Sequence, residues 1–129
     1  MNEPNWLLQE VVISVQKMLI AEHGGLEGVR DVALLESALN RPKQQVAYGN
    51  GYGIPELAAS YCFGLARNHC FADGNKRIAL AAAGIFLEMN GYELNAPEAD
   101  AVLIIEKLAS GEIEEINVAA WIADNSQKK

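Results

Sequence analysis

The sequence predicts an all-α fold, a compact helical bundle around a buried central helix. Three observations carry this expectation. Apolar residues recur at helical spacing from the start, as in Trp6, Leu7, Val11, Val15, Met18 and Leu19. Glycine and proline punctuate the chain where helices would stop or start: Gly24-Gly25, Pro42, Pro55, Pro97 and Gly111. The two apolar segments flanking residues 67–77 show no period-two alternation, so neither reads as a strand. A length of 129 residues suits one domain, 1–129, with a core of its own.

The elements follow in order. Residues 3–22 read as an amphipathic helix that Gly24-Gly25 stops, with His23 beside the stop as a helix-end residue. Asp31 suits the N-cap of a second helix through Leu34, Leu35, Ala38 and Leu39, expected to end near Pro42. Tyr48-Gly49-Asn50-Gly51-Tyr52-Gly53 is rich in turn residues and reads as a loop. Pro55 fits the first helical position of a third helix, Glu56 suits its positive end, and Asn68 ends it. A fourth helix, 75–90, is apolar nearly all round, which predicts the buried centre of the bundle. Pro97-Glu98 opens a fifth helix that Gly111 closes, and Asn117 is placed to cap a last one. The tail 126–129 is expected to fray.

Composition narrows the function. Half the residues are apolar and 21% are charged, an ordinary globular balance. The formal charge of −7 argues against direct binding of nucleic acid, which normally calls for a basic face. Neither a signal peptide nor a membrane span is apparent. Cys62 and Cys70 make no disulfide framework, and the expected compartment is the reducing cytoplasm. Two Cys and two His also lack the spacing of a zinc site.

Within this acidic chain, residues 67–77 concentrate chemistry: Arg67-Asn68-His69-Cys70-Phe71-Ala72-Asp73-Gly74-Asn75-Lys76-Arg77. A neutral imidazole at His69 can accept a proton from an attacking hydroxyl. Asp73 is either a helix cap or a hard-cation ligand. Gly74 allows a left-handed turn just before a helix begins. Lys76 and Arg77 oppose the dipole of that helix, an arrangement that suits a bound anion. Asn75 adds a polar donor. Phe71 reads as a buried anchor for the loop, and Arg67 as a structural ion-pair partner. Cys70 beside His69 invites a Cys–His nucleophile, but adjacent side chains diverge and no third orienting group is evident. The set describes phosphoryl or nucleotidyl transfer.

These residues also carry a resemblance. His69-x-Phe71-x-Asp73-Gly74-Asn75-Lys76-Arg77 is similar to the Fic/Doc family pattern H-x-F-x-[DE]-[GA]-N-[GK]-R. Lysine after the asparagine resembles the Doc (death-on-curing) branch, toxins of bacterial toxin–antitoxin pairs. The likeness extends to Gly24-Gly25-Leu26-x-Gly28-Val29-Arg30-Asp31, to Leu34–Pro42, to Ser110–Ile113 and to Ala119-Ala120-Trp121. It implies ATP as substrate and Mg²⁺ at Asp73, with phosphates held by Gly74, Asn75, Lys76 and Arg77 and His69 as catalytic base. The stretch 48–53 would correspond to a flap that docks a protein substrate.

Two reactions occur in the family. Fic-type members move AMP onto a protein hydroxyl, and Doc-type members transfer the γ-phosphate as kinases. Lys76 replaces the second glycine of the Fic pattern and Leu80 replaces its second arginine, so the resemblance favours the kinase. Gly74 departs from it, since the Doc pattern has alanine there, whereas Cys70 departs from the proline common in Fic proteins. The implied target is elongation factor Tu, and the implied partner an antitoxin of the prevent-host-death type whose disordered segment folds on binding. Residues 110–115 do not match the family's self-inhibitory helix, so inhibition in trans is expected. Adenylyl transfer and a catalytically inactive binding module are the alternatives.

Overall fold

Between Leu57 and Ala66 almost every side chain is apolar or small, and this stretch forms the middle of the most enclosed helix. The structure, a computed structural model, describes residues 3–49 and 51–129. Asn50, in the middle of the expected flap, lies outside the described residues. In chain order the elements are α1 (Gln9–His23), α2 (Val32–Tyr48), α3 (Ile54–Asn68), α4 (Asn75–Met89), β1 (Tyr92–Leu94), α5 (Glu98–Ser110), α6 (Glu115–Asp124) and β2 (Ser126–Lys128). Helices α2, α4, α5 and α6 all pack on α3. The fold is an all-α bundle with one small two-stranded ribbon.

The enclosed centre is α3 more than α4. Helix α3 buries Leu57 to Cys62 without a break, then Gly64, Leu65 and Ala66. Helix α4 buries Ile78, Ala79, Ala82, Ala83, Phe86 and Leu87, leaving Lys76, Arg77, Glu88 and Met89 exposed. Small residues explain the difference. A Cβ added at Gly64 would lie 3.1 Å from Ala38 Cα, so the glycine lets α2 and α3 meet almost backbone to backbone. Each fully buried Leu, Ile or Phe here contributes about 1.5–3 kcal/mol by leaving water.

Four local expectations are corrected. Helix α1 begins at Gln9 rather than residue 3, because the preceding segment is tied elsewhere. Asn5 N–H donates to Asn90 Oδ1 at 2.7 Å, Leu7 N–H donates to the Tyr61 hydroxyl at 3.2 Å, and Trp6 stacks on Phe86. The inward face of α1 is Val12, Gln16 and Ile20, while Val11 and Met18 are exposed. Helix α2 runs through Pro42 to Tyr48. Proline removes one helical hydrogen bond, but Pro42 is buried and its neighbour Arg41 pairs with Glu115 of α6 and donates to Ser60 Oγ of α3. Glu114, not Asn117, is the N-cap residue of α6, and Asn117 Oδ1 accepts from its N–H at 2.9 Å.

The tail is the fourth correction. Residues 126–128 form β2 and pair antiparallel with β1, Tyr92 opposite Lys128 and Leu94 opposite Ser126. Lys129 N–H donates to Gly91 O at 2.8 Å, and Lys129 Nζ pairs with Glu88 at 3.0 Å. The chain end is therefore pinned to the C-terminus of α4. Other boundaries fall as expected: Asp31 Oδ1 caps α2 through Leu34 N–H, Glu56 Oε1 accepts from Gly53 N–H, and Gly111 closes α5. Among the described residues no helix is long and apolar enough to cross a membrane.

Candidate active site

Helix α3 ends at Asn68, and the chain must turn sharply to start α4 at Asn75. His69 makes the first part of that turn with φ 49°, and it is the non-glycine residue with positive φ among those described. Such a backbone costs about 1–3 kcal/mol and persists where surrounding bonds over-determine it. They do here. Arg30 Nε donates to His69 O at 2.8 Å, and the Arg30 and Asp31 amides both donate to Cys70 O. Asn68 Nδ2 donates to Leu34 O at 3.1 Å. Val29 bridges Phe71, and Ala72 N–H donates to Gly28 O at 3.0 Å. The segment 24–31 thus splints the loop 69–74 from outside.

Inside the loop, Phe71 is 1% exposed and serves as the expected anchor. Asn75 grips it: its Oδ1 accepts from Phe71 N–H and its Nδ2 donates to Phe71 O, both at 3.0 Å. One Nδ2 hydrogen of Asn75 is therefore committed to the loop and one is left. Gly74 takes the left-handed turn, φ 72°, at the N-cap of α4. No side chain caps that helix and no acidic residue lies in its first turn. Its leading N–H groups and positive dipole end face the same groove as Lys76 and Arg77. Neither cation is paired among the described residues, whose ion pairs are Arg41–Glu115 and Lys129–Glu88.

Asp73 does not cap α4. Its Oδ2 accepts from Leu26 N–H at 2.8 Å, which turns the carboxylate toward the 24–31 segment and leaves Oδ1 without a donor among the described residues. Among the described residues no cluster of three or more His, Cys, Asp or Glu side chains forms a metal cage. A single carboxylate oxygen beside an uncapped helix N-terminus is a donor set that fits Mg²⁺, which commonly takes one or two carboxylates and fills its shell with phosphate oxygens and water.

The groove over this loop has a volume of about 820 Å³. One wall is His69, Asp73, Gly74, Asn75, Lys76 and Arg77, so the structure brings together every chemically active residue expected from the sequence. The other wall is α5, with Val102, Ile105, Glu106, Ala109 and Ser110, and Leu80 of α4 also lines the groove. Periodicity alone did not reveal α5 as a wall, because the same apolar spacing describes a helix that only packs. Arg67 connects the two sides. It makes no ion pair among the described residues. Its Nε donates to Leu108 O at 2.8 Å and its guanidinium lies 5.1 Å from the Phe63 ring centre, so it holds the end of α5 against α3. Cys70 is fully enclosed, and burial pushes its thiol up from the ordinary value, the reverse of an activated nucleophile.

The family profile described as Fic/DOC family matches residues 6–87. The chain is 35% identical over 111 residues to a protein named Protein kinase doc from Escherichia phage P1, covering 85% of this chain and 86% of that one. It is 46% identical over 74 residues to a protein named Toxin Doc from Mycolicibacterium smegmatis, covering 57% of each.

Proposed function

The chain belongs to the Fic/DOC family, and from that premise we propose that it is a Doc-type toxin that transfers the γ-phosphate of ATP to a hydroxyl of a protein target. The observation that carries this reading is one groove in which His69 faces an uncapped helix N-terminus bearing Lys76 and Arg77. A proton acceptor and an anion site side by side are what in-line attack on a phosphate needs.

In the proposed reaction His69 takes the proton as the target hydroxyl attacks the γ-phosphorus. The bond to the β–γ bridging oxygen breaks, and ADP leaves. Lys76, Arg77 and the first N–H groups of α4 hold the phosphate oxygens and offset the charge that develops on them. Asp73 Oδ1 is the oxygen open to Mg²⁺, which when bound neutralises phosphate charge. Phe71 and Asn75 keep the loop in shape, and Arg67 fixes the opposite wall. The protein named as a kinase in phage P1 supports phosphate transfer over the alternative. Lys76 also fills the space that a glycine leaves open in the AMP-transferring pattern, and Leu80 adds no second cation to the groove. AMP transfer keeps one observation in its favour: Gly74, with φ 72°, is the residue of the Fic pattern at this turn.

The family resemblance further suggests elongation factor Tu as the target, an antitoxin of the prevent-host-death type as the partner, and the cytoplasm as the compartment. A toxin needs such a partner in its own host. Induced expression in bacteria without the antitoxin tests the reading. Growth arrest that disappears in His69→Ala supports catalysis. Arrest that persists in the variant means binding rather than chemistry, and no arrest with the wild type overturns the toxin assignment.

A further inference from the structure

Gln16 lies in the middle of the buried face of α1 and is 1% exposed. Its neighbours on that face, Val12 and Ile20, are aliphatic, and an apolar residue would suit the position by packing alone. A buried amide is costly unless it is hydrogen-bonded. Among the described residues, all of its side-chain hydrogen bonds go to the two loops that line or brace the groove. Gln16 Nε2 donates to Asp73 O at 3.1 Å and to Leu26 O at 3.3 Å, and Oε1 accepts from Gly28 N–H at 3.2 Å.

The pattern converges on one carboxylate. Leu26, whose carbonyl Gln16 holds, is the residue whose N–H donates to Asp73 Oδ2. Gln16 therefore fixes both the backbone of Asp73 and the donor that orients its side chain. The two loops pass very close here. A Cβ at Gly25 would lie 3.2 Å from Asp73 Cβ and 3.3 Å from its Oδ2, and φ at Gly25 is +114°. Gln16 itself is not part of the groove wall, so it touches no substrate.

We propose that Gln16 is a positioning residue for the transfer site, holding the 24–28 and 72–74 segments so that Asp73 presents Oδ1 to a Mg²⁺-bound nucleotide. The inference rests on the transfer reading above and adds to it a residue outside the motif. Groups that orient a metal-binding side chain typically change metal affinity when removed, even though they never contact the ion.

The test uses the full chain with Gln16→Met, which keeps length and loses every hydrogen bond, and Gln16→Glu, which keeps the acceptor for Gly28 N–H and loses both donors. Val12→Ala, on the same buried face with no bond to either loop, is the control for lost packing. Two quantities are read: amide hydrogen exchange at Leu26, Gly28 and Ala72, and calorimetric affinity for a non-hydrolysable ATP analogue with and without Mg²⁺. In both Gln16 variants the affinity gained on adding Mg²⁺ should fall by about tenfold, with Mg²⁺-free affinity unchanged. Exchange at Leu26 should accelerate in both, and at Gly28 in Gln16→Met. Val12→Ala should lower thermal stability and keep the Mg²⁺ gain. A Mg²⁺ gain intact in the Gln16 variants, or lost equally in Val12→Ala, overturns the positioning role. A wild type that binds the analogue without any help from Mg²⁺ overturns the transfer reading and this proposal together, an outcome distinct from a variant-specific failure.

Discussion

His69 stands in a left-handed backbone at the end of α3, a conformation that a side chain disfavours and glycine accepts. That φ of 49° stores strain. Replacement by glycine should therefore stabilise the fold relative to replacement by alanine by about 1 kcal/mol, measurable by urea unfolding. Both variants should lose transfer by about 10²–10⁴-fold, the usual contribution of a positioned acid or base. If His69→Gly is no more stable than His69→Ala, the strain account is wrong. At this scale the sequence was informative, because His69, Asp73, Lys76 and Arg77 each carry a reactive group that needs no partner to be noticed. What it hid was the partner of each. Asn75 reads as a phosphate donor, and its amide also clasps Phe71. Arg67 reads as an ion-pair residue, yet it holds a carbonyl and an aromatic ring. Gln16 carried no local signal, and Arg30 stood out only within the family resemblance, since their bonds to Asp73 and His69 reach residues dozens of positions away.

Helix α4 carries an N-terminus that is unfavourable for the helix by itself. Its N-terminus has neither a side-chain cap nor an acidic residue, and two cations sit in its first turn against the dipole. Arg77→Gln should therefore weaken nucleotide binding while raising stability by about 0.3–1 kcal/mol, the size of one unfavourable charge at a helix end. Calorimetry and thermal unfolding on the same sample check both signs, and a loss of stability would show that Arg77 has a structural partner. Helix identity was legible from spacing, but helix ends depended on what they touch. Pro42 is a strong stop signal, and α2 passes through it because burial and the Arg41 ties outweigh one missing bond. Residues 3–8 fit a helical pattern, and they stay outside the helix because Asn5, Trp6 and Leu7 find partners at the C-cap of α4, on α4 and on α3. The greater enclosure of α3 could not be read from hydrophobicity either, since it depends on small residues such as Gly64 meeting Ala38.

Across the whole molecule the site lies where α3 hands over to α4, braced by the 24–31 segment on one side and α5 on the other. The β1–β2 ribbon contributes no residue to the groove wall. Ending the chain after Asn125 should therefore lower stability by about 1–3 kcal/mol, a few hydrogen bonds at roughly 0.5–1.5 kcal/mol each, and leave transfer unchanged at temperatures where the shortened chain is folded. Loss of activity without unfolding would mean that the ribbon communicates with the groove. The polar sequence of the tail hides this pairing, because Ser126-Gln127-Lys128 has little strand character until Tyr92–Leu94 lies beside it. The all-α class and the gathering of the motif were both readable, because helical periodicity and a contiguous motif are local.

The most direct measurement uses purified protein, Mg²⁺, a bacterial lysate and ATP labelled in parallel at the γ- or the α-phosphate. Label should pass to a protein band from the γ position alone and be absent with His69→Ala. Label arriving from the α position would mean AMP transfer and would contradict the role given to Lys76.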